Sequence, residues 1–335
     1  MLTSNVTRIC VERILPHHVD HHNTIKHDDR LRAAFWGTKI WKQNSVITIG
    51  FLDNPTPNQP RTSMEKMKEV GRNIDPLQLE ISEETPLKEI VKRVVRERIE
   101  PLVNLTFEFL PDENAKMADI RISFADEDAS WSLIGTDALH NKEKGEATMN
   151  LGWFDVGTYI HEFCHALGMI HEHQNPRSKN GIKWDKEKLY KYMNATQGWD
   201  KSQVDTNIID RYDLDQINGS EFDPLSVMLY FFPDNLTTNN KGTKQNFSLS
   251  GLDALWISKT YPGSEISPEN FYESVYKKSL KQSIKESENF DKPSIYSKLF
   301  FLASLMVITG VVIFLLIKLF AKINEKKSPY RINTY

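Results

Sequence analysis

His161, Glu162, His165, Gly168 and His171 fall within the single run HEFCHALGMIH. Two histidines four residues apart on a helix share one face, one turn apart, so both imidazoles reach a single cation. Glu162 follows the first of them and is placed to take a proton from a water activated at that cation. His171 cannot lie on the same straight helical face. Gly168 accounts for its return: glycine adopts φ > 0 without a Cβ clash, so the helix can stop there and the chain can swing back. Three neutral imidazoles suit one Zn²⁺ per chain and leave a fourth coordination position for water, as in a catalytic rather than a structural zinc site. The plainer alternative is a buried helix with two hydrogen-bonded core histidines and a third histidine in the following loop.

Together these residues resemble the extended zinc motif of the metzincin metalloproteases. Glu172 after the third histidine is similar to the astacin branch. So are HEHQNPR at 171–177 and GIKWDKEKLY at 181–190, which resemble the astacin-like peptidases of bacteria, fungi and some large DNA viruses. DIRISF at 119–124, WSLIGTDAL at 131–139 and ATMNLGWF at 147–154 look like the strands that precede the active-site helix in that group. SVMLY at 226–230 resembles the Met-turn, and LSGLDALWISKTYP at 249–262 resembles the closing helix.

The resemblance implies that His161, His165 and His171 are zinc ligands and Glu162 the general base. It implies that Met228 is the hydrophobic floor beneath the metal, a place that plain core packing would equally give a methionine. Tyr230 matches the tyrosine that lies near zinc and hydrogen-bonds the developing oxyanion; the other reading is a buried tyrosine with an ordinary partner. Leu229 departs from the pattern, which usually has histidine between the Met and the Tyr. For Glu172 two readings are open: a partner for an N-terminus exposed by processing, or a structural ion pair. The implied activity is a zinc-dependent endopeptidase acting on protein or peptide. A non-catalytic surface module would tolerate loss of Glu162 or of a ligand, and all four are present. A zinc amidase is a third reading.

The surrounding chain must build the scaffold for these groups. It has 335 residues, 39% hydrophobic and 26% charged, with a net charge of −3, which suits one globular domain with appendages and argues against nucleic acid as a partner. Cys10 and Cys164 are too few for a disulfide framework. Cys164, inside the zinc helix, reads as a packed free thiol. SVITIGFL at 45–52, LTFEFL at 105–110 and DIRISF alternate as strands, and LKEIVKRVVRERIEPLV at 87–103 has helical spacing that ends at Pro101. The expected fold is α+β: a metzincin-like protease domain with a twisted mixed sheet, packing helices and the metal in a cleft. WSLIGTDA is a candidate edge strand to which an extended substrate could add. The expected boundaries are an N-terminal extension at 1–43, the peptidase domain at 44–263, a stalk at 264–297, a transmembrane helix at 298–318 and a basic tail at 319–335. His17, His18, His21, His22 and His27 form a tract that reads as a second metal site or as a solvated segment.

Leu299 to Ile317 carries no charge over 19 residues, a helix of about 28 Å and so close to the hydrocarbon thickness. Lys298 and Lys318 bracket it, and membrane lipid is its expected partner. No N-terminal signal sequence is evident, which favours a catalytic domain on the cytosolic or virion-facing side. Lys318, Lys322, Lys326, Lys327 and Arg331 after the span pull the other way. A single-pass anchor of this kind should keep the full chain in membranes through high-salt and carbonate washes. Release of the intact chain by carbonate would remove the anchor.

Overall fold

Apolar side chains at 87, 90, 91 and 94 repeat at helical spacing, and in the computed structural model Leu87–Val94 forms α1 with all four buried. The helix continues in wider turns over Val95–Ile99, burying Val95 and Ile99, and Pro101 lies in the last tight turn, Glu100–Leu102. The structure describes residues 35–53, 85–125, 130–140, 145–152, 155–176, 181–212, 217–218, 222–262 and 277–290. Cys10, the histidine tract at 17–27 and the apolar span Leu299–Ile317 lie outside the described residues. Among the described residues no helix is long and apolar enough to cross a membrane.

The alternating segments form strands. After β1 (Phe35–Trp36) come β2 (Val46–Phe51), β3 (Thr106–Phe109), β4 (Ile120–Ser123), β5 (Trp131–Ser132) and β6 (Met149–Asn150). Their order in the sheet is β3-β2-β4-β6-β5. The pairs from β3 to β6 are parallel, and β5 joins β6 antiparallel at the sheet's end. WSLIGTDA therefore supplies an edge strand of a mixed sheet, as its sequence suggests. The inner strands bury Ile47, Ile49, Ile120 and Ile122 in one core with α1 and with α2 (Val156–Ala166). This α+β arrangement is the expected one.

After α2 the chain is less regular. It contains α3 (Lys186–Gln197), the short α4 (Lys201–Val204), β7 (Ile217–Asn218), which pairs with β1, and α5 (Gly251–Thr260). A second apolar cluster around Leu189, Met193, Phe222 and Phe232 holds this half together. The segment 226–230 joins the two clusters: Met228 belongs to the first and Tyr230 to the second.

Two expected boundaries shift. Phe35 and Trp41, assigned to the N-terminal extension, are 1% and 6% exposed and belong to the main core. At the other end, Lys277–Phe290 forms α6 within the segment read as a stalk. Ser, Lys and Glu dominate its sequence, so its few apolar contacts give a weak signal. Those contacts are nonetheless close. A Cβ at Gly251 on α5 would strike the backbone at Leu280, so only glycine permits this approach. Phe290 meets the ring of Phe222 at 4.6 Å, and the Lys241 ammonium donates to the Phe290 carbonyl at 2.8 Å. The chain divides into the compact units Met1–Phe290 and Asp291–Tyr335, and the second lies outside the described residues. A chain ended at 262 should therefore melt about 5 °C or more below one ended at 290. Uncovering two half-buried apolar side chains costs roughly 2 kcal/mol, and each kcal/mol moves Tm about 2–4 °C at this size. Equal melting curves would show that α6 is only an appendage.

Candidate active site

Every residue of α2 is buried, which makes it the central helix of the domain. Asp155 caps its start, accepting from the Gly157 and Thr158 N–H groups at 3.3 and 3.1 Å. Its end is a Schellman turn: the Gly168 N–H donates to His165 O and the Met169 N–H to Cys164 O, with Gly168 at φ 100°. That left-handed residue reverses the chain and brings His171 back, as the sequence indicates.

The nitrogens of His161, His165 and His171 lie within 4.8 Å of one another, and the three rings are buried. The His161 Nδ1–H donates to Val227 O at 2.8 Å, and the His165 Nδ1–H donates to Met169 O at the same distance. A carbonyl can only accept, so both rings hold their proton on Nδ1 and present an Nε2 lone pair to the centre. The Nε2 atoms of His165 and His171 are 3.0 Å apart. Two nitrogens on one tetrahedral zinc stand about 3.3 Å apart, so a small spread of the rings accommodates the ion. Burial first, then the neighbouring His173 and His161, push His171 well below the ordinary imidazole value. A neutral ring is the form that ligates a cation. The donor set therefore fits zinc.

Glu162 is fully buried beside His161 on the same helix. The ring of Tyr230 stacks on His161 at 5.9 Å and lies 4.3 Å from His171. The structure thus brings His161, His165, His171 and Tyr230 together, with Glu162 next to His161 on the helix. Met228 is fully buried in the main core, and its carbonyl accepts the Glu172 N–H at 3.0 Å. Leu229, where the resemblance leads one to expect histidine, packs with Tyr230 in the second apolar cluster. Cys164 is a free thiol in the main core, pushed well above its ordinary value by burial, so it serves packing. The Glu172 carboxyl, also raised by burial, accepts from the Asp223 N–H at 2.9 Å and from Asn175 at 3.1 Å.

Several contributors escaped the sequence reading. Asp253 on α5 takes the Ser226 hydroxyl at 2.7 Å and the Val227 N–H at 2.9 Å, and so fixes the residue whose carbonyl orients His161. Asn246 spans Pro224 O and Ser226 O at 3.1 and 2.8 Å. The Thr243 hydroxyl donates to Tyr230 O and accepts the Phe232 N–H, which holds the tyrosine's backbone. His173 stacks on His171 at 5.2 Å. An Asp four residues after Leu249 reads only as part of a helix start, because its targets lie more than twenty residues away.

The family model for Astacin, described as a peptidase family, matches residues 80–246. A solved structure of myroilysin is 33% identical, with a TM-score of 0.55; the alignment covers 69% of this chain and 100% of that one. The chain belongs to the astacin family. It is accordingly a zinc metalloendopeptidase, and zinc is its cofactor. A zinc metalloproteinase of Caenorhabditis elegans, nas-24, is 30% identical to this chain over 94 residues, which is 28% of this chain and 24% of that relative's length. The purified astacin should carry about one zinc per chain. His165→Ala should lose it, as measured by elemental analysis after gel filtration, and full zinc in that variant would remove His165 from the ligand set.

Proposed function

We propose that His161, His165 and His171 hold the zinc and that Glu162 and Tyr230 carry out peptide hydrolysis beside it. The observation that carries this reading is the convergence of three buried imidazole nitrogens within 4.8 Å, with Glu162 on the same helix as two of them. Zinc, when bound, supplies Lewis acidity to a water and to the scissile carbonyl. Glu162 accepts the proton of the attacking water and returns it to the leaving amine, which keeps the buried site free of a net charge change. The Tyr230 hydroxyl donates to the carbonyl oxygen as negative charge develops there, a contact stronger in the transition state than in the ground state. Met228 packs beneath the ligands and limits their movement. The extended peptide lies along the edge strand β5 and is gripped through its main chain, which favours broad side-chain tolerance.

The rest of the chain is read as delivery. Residues 35–290 make the catalytic unit, and Leu299–Ile317 anchors it to a lipid bilayer as a single span, followed by the basic tail at 319–335. The apolar length and its lysine brackets support the anchor.

Two variants test the chemistry in one peptide-cleavage assay. Glu162→Gln keeps the side chain's size but removes the base, so kcat should fall about 10²–10⁴-fold with zinc content unchanged. Tyr230→Phe should lower kcat about 10–10³-fold with little change in KM. Near-normal turnover in the first variant would move the general base elsewhere, and equal kcat in the second would reduce Tyr230 to packing.

A further inference from the structure

The end of α2 leaves three carbonyls without partners inside the helix. The Schellman turn uses the oxygens of Cys164 and His165, so those of Ala166, Leu167 and Gly168 need outside donors. Ala166 and Leu167 are buried, and a buried carbonyl without a donor is costly.

All three donors come from the two sequence ends of the domain, outside the residues 80–246 that match the family. The Trp41 indole N–H donates to Ala166 O at 2.7 Å. The Tyr261 hydroxyl donates to Leu167 O at 2.6 Å. The Trp36 backbone N–H donates to Gly168 O at 2.9 Å. Tyr261 also accepts the Trp41 backbone N–H at 3.2 Å, which links two residues 220 positions apart into one brace. Burial pushes the Tyr261 hydroxyl far above its ordinary range, so it remains a donor at any working pH. The next residue along, Met169, carries the carbonyl that orients His165, and His171 follows two residues later.

We propose that Tyr261, together with Trp41, is a positioning residue for the metal: it fixes the end of α2 so that Met169 O holds His165 in its ligating tautomer and His171 stays within reach. This rests on the ligand reading above. It assigns to the ends of the domain a part in metal binding as well as in closing the core. Neither residue touches substrate.

The test uses the zinc-loaded full chain with Tyr261→Phe, which keeps the ring and removes only the hydroxyl. Zinc affinity is measured by chelator competition well below Tm. The visible spectrum of the Co²⁺-substituted protein reports ligand geometry. Zinc should be held about tenfold more weakly, the low end for loss of a group that orients a ligand. The Co²⁺ bands should shift, and kcat should fall while KM stays within about twofold. Trp41→Phe, which removes the donor to Ala166, should move all three readouts the same way and serves if the first variant folds poorly. Ile47→Val, a core change in the sheet, should lower Tm while leaving zinc affinity and the Co²⁺ spectrum unchanged. If both brace variants lose Tm but keep the parent's zinc affinity and spectrum, the brace is only structural and the proposal fails. Retention of zinc by His165→Ala would instead overturn the ligand reading, whatever the brace variants do.

Discussion

His161 and His165 each donate a hydrogen bond from Nδ1–H to a backbone carbonyl 2.8 Å away. That hydrogen bond decides which nitrogen faces the metal, because a ring that donates from Nδ1 offers its lone pair from Nε2. The two carbonyls belong to loops, Val227 in the turn before Tyr230 and Met169 in the turn after Gly168. Loops hold position only when their own polar groups are satisfied. Asp253, Ser226 and Asn246 do this for the first turn, and the Schellman bonds with Trp41 and Tyr261 do it for the second. Each of these two histidines is therefore oriented by a peptide group that is itself oriented by side chains from distant elements. This is the outer-shell support that metal sites require, transmitted through one extra residue.

Burial adds a second constraint of the same sign. All three imidazoles are buried, and burial pushes His171 well below its ordinary value. Glu162 is fully buried on the same helix as His161 and His165. The ring of Tyr230, between His161, His171 and His173, closes the site on the side of the second apolar cluster. The apolar clusters and the histidine site are consequently continuous, with Met228 in the first cluster and Tyr230 in the second.

The parts legible in the sequence are those whose signal is local. The repeat of Leu87, Ile90, Val91 and Val94 specifies α1, and the alternation in β2 and β4 specifies strands. The spacing of His161, His165 and His171 around Gly168 carries both the helix and its reversal. What could not be read depends on contacts between distant positions. Trp41 and Phe35 have no periodic pattern and gain their place from Ala166, Gly168 and Tyr261. Helix α6 has a polar composition and is retained by a close approach at Gly251, by Leu280 on the main core and by Phe290. Asp223 and Asp253 look like ordinary surface acids in sequence, yet they are buried and accept hydrogen bonds from the turn and from α5. Burial, and the proximity of Asp253, push the Asp223 carboxyl above the ordinary carboxylate range, a shift that no local pattern encodes.

The central claim is that three imidazole nitrogens from one helix and its following turn converge on one zinc. X-ray absorption at the zinc edge on the purified, zinc-loaded full chain tests it most directly. The account expects three histidine nitrogens at about 2.0–2.1 Å plus one oxygen ligand, with the imidazole count falling to two in His171→Ala. A sulfur ligand at about 2.3 Å, or an imidazole count unchanged by His171→Ala, would contradict it.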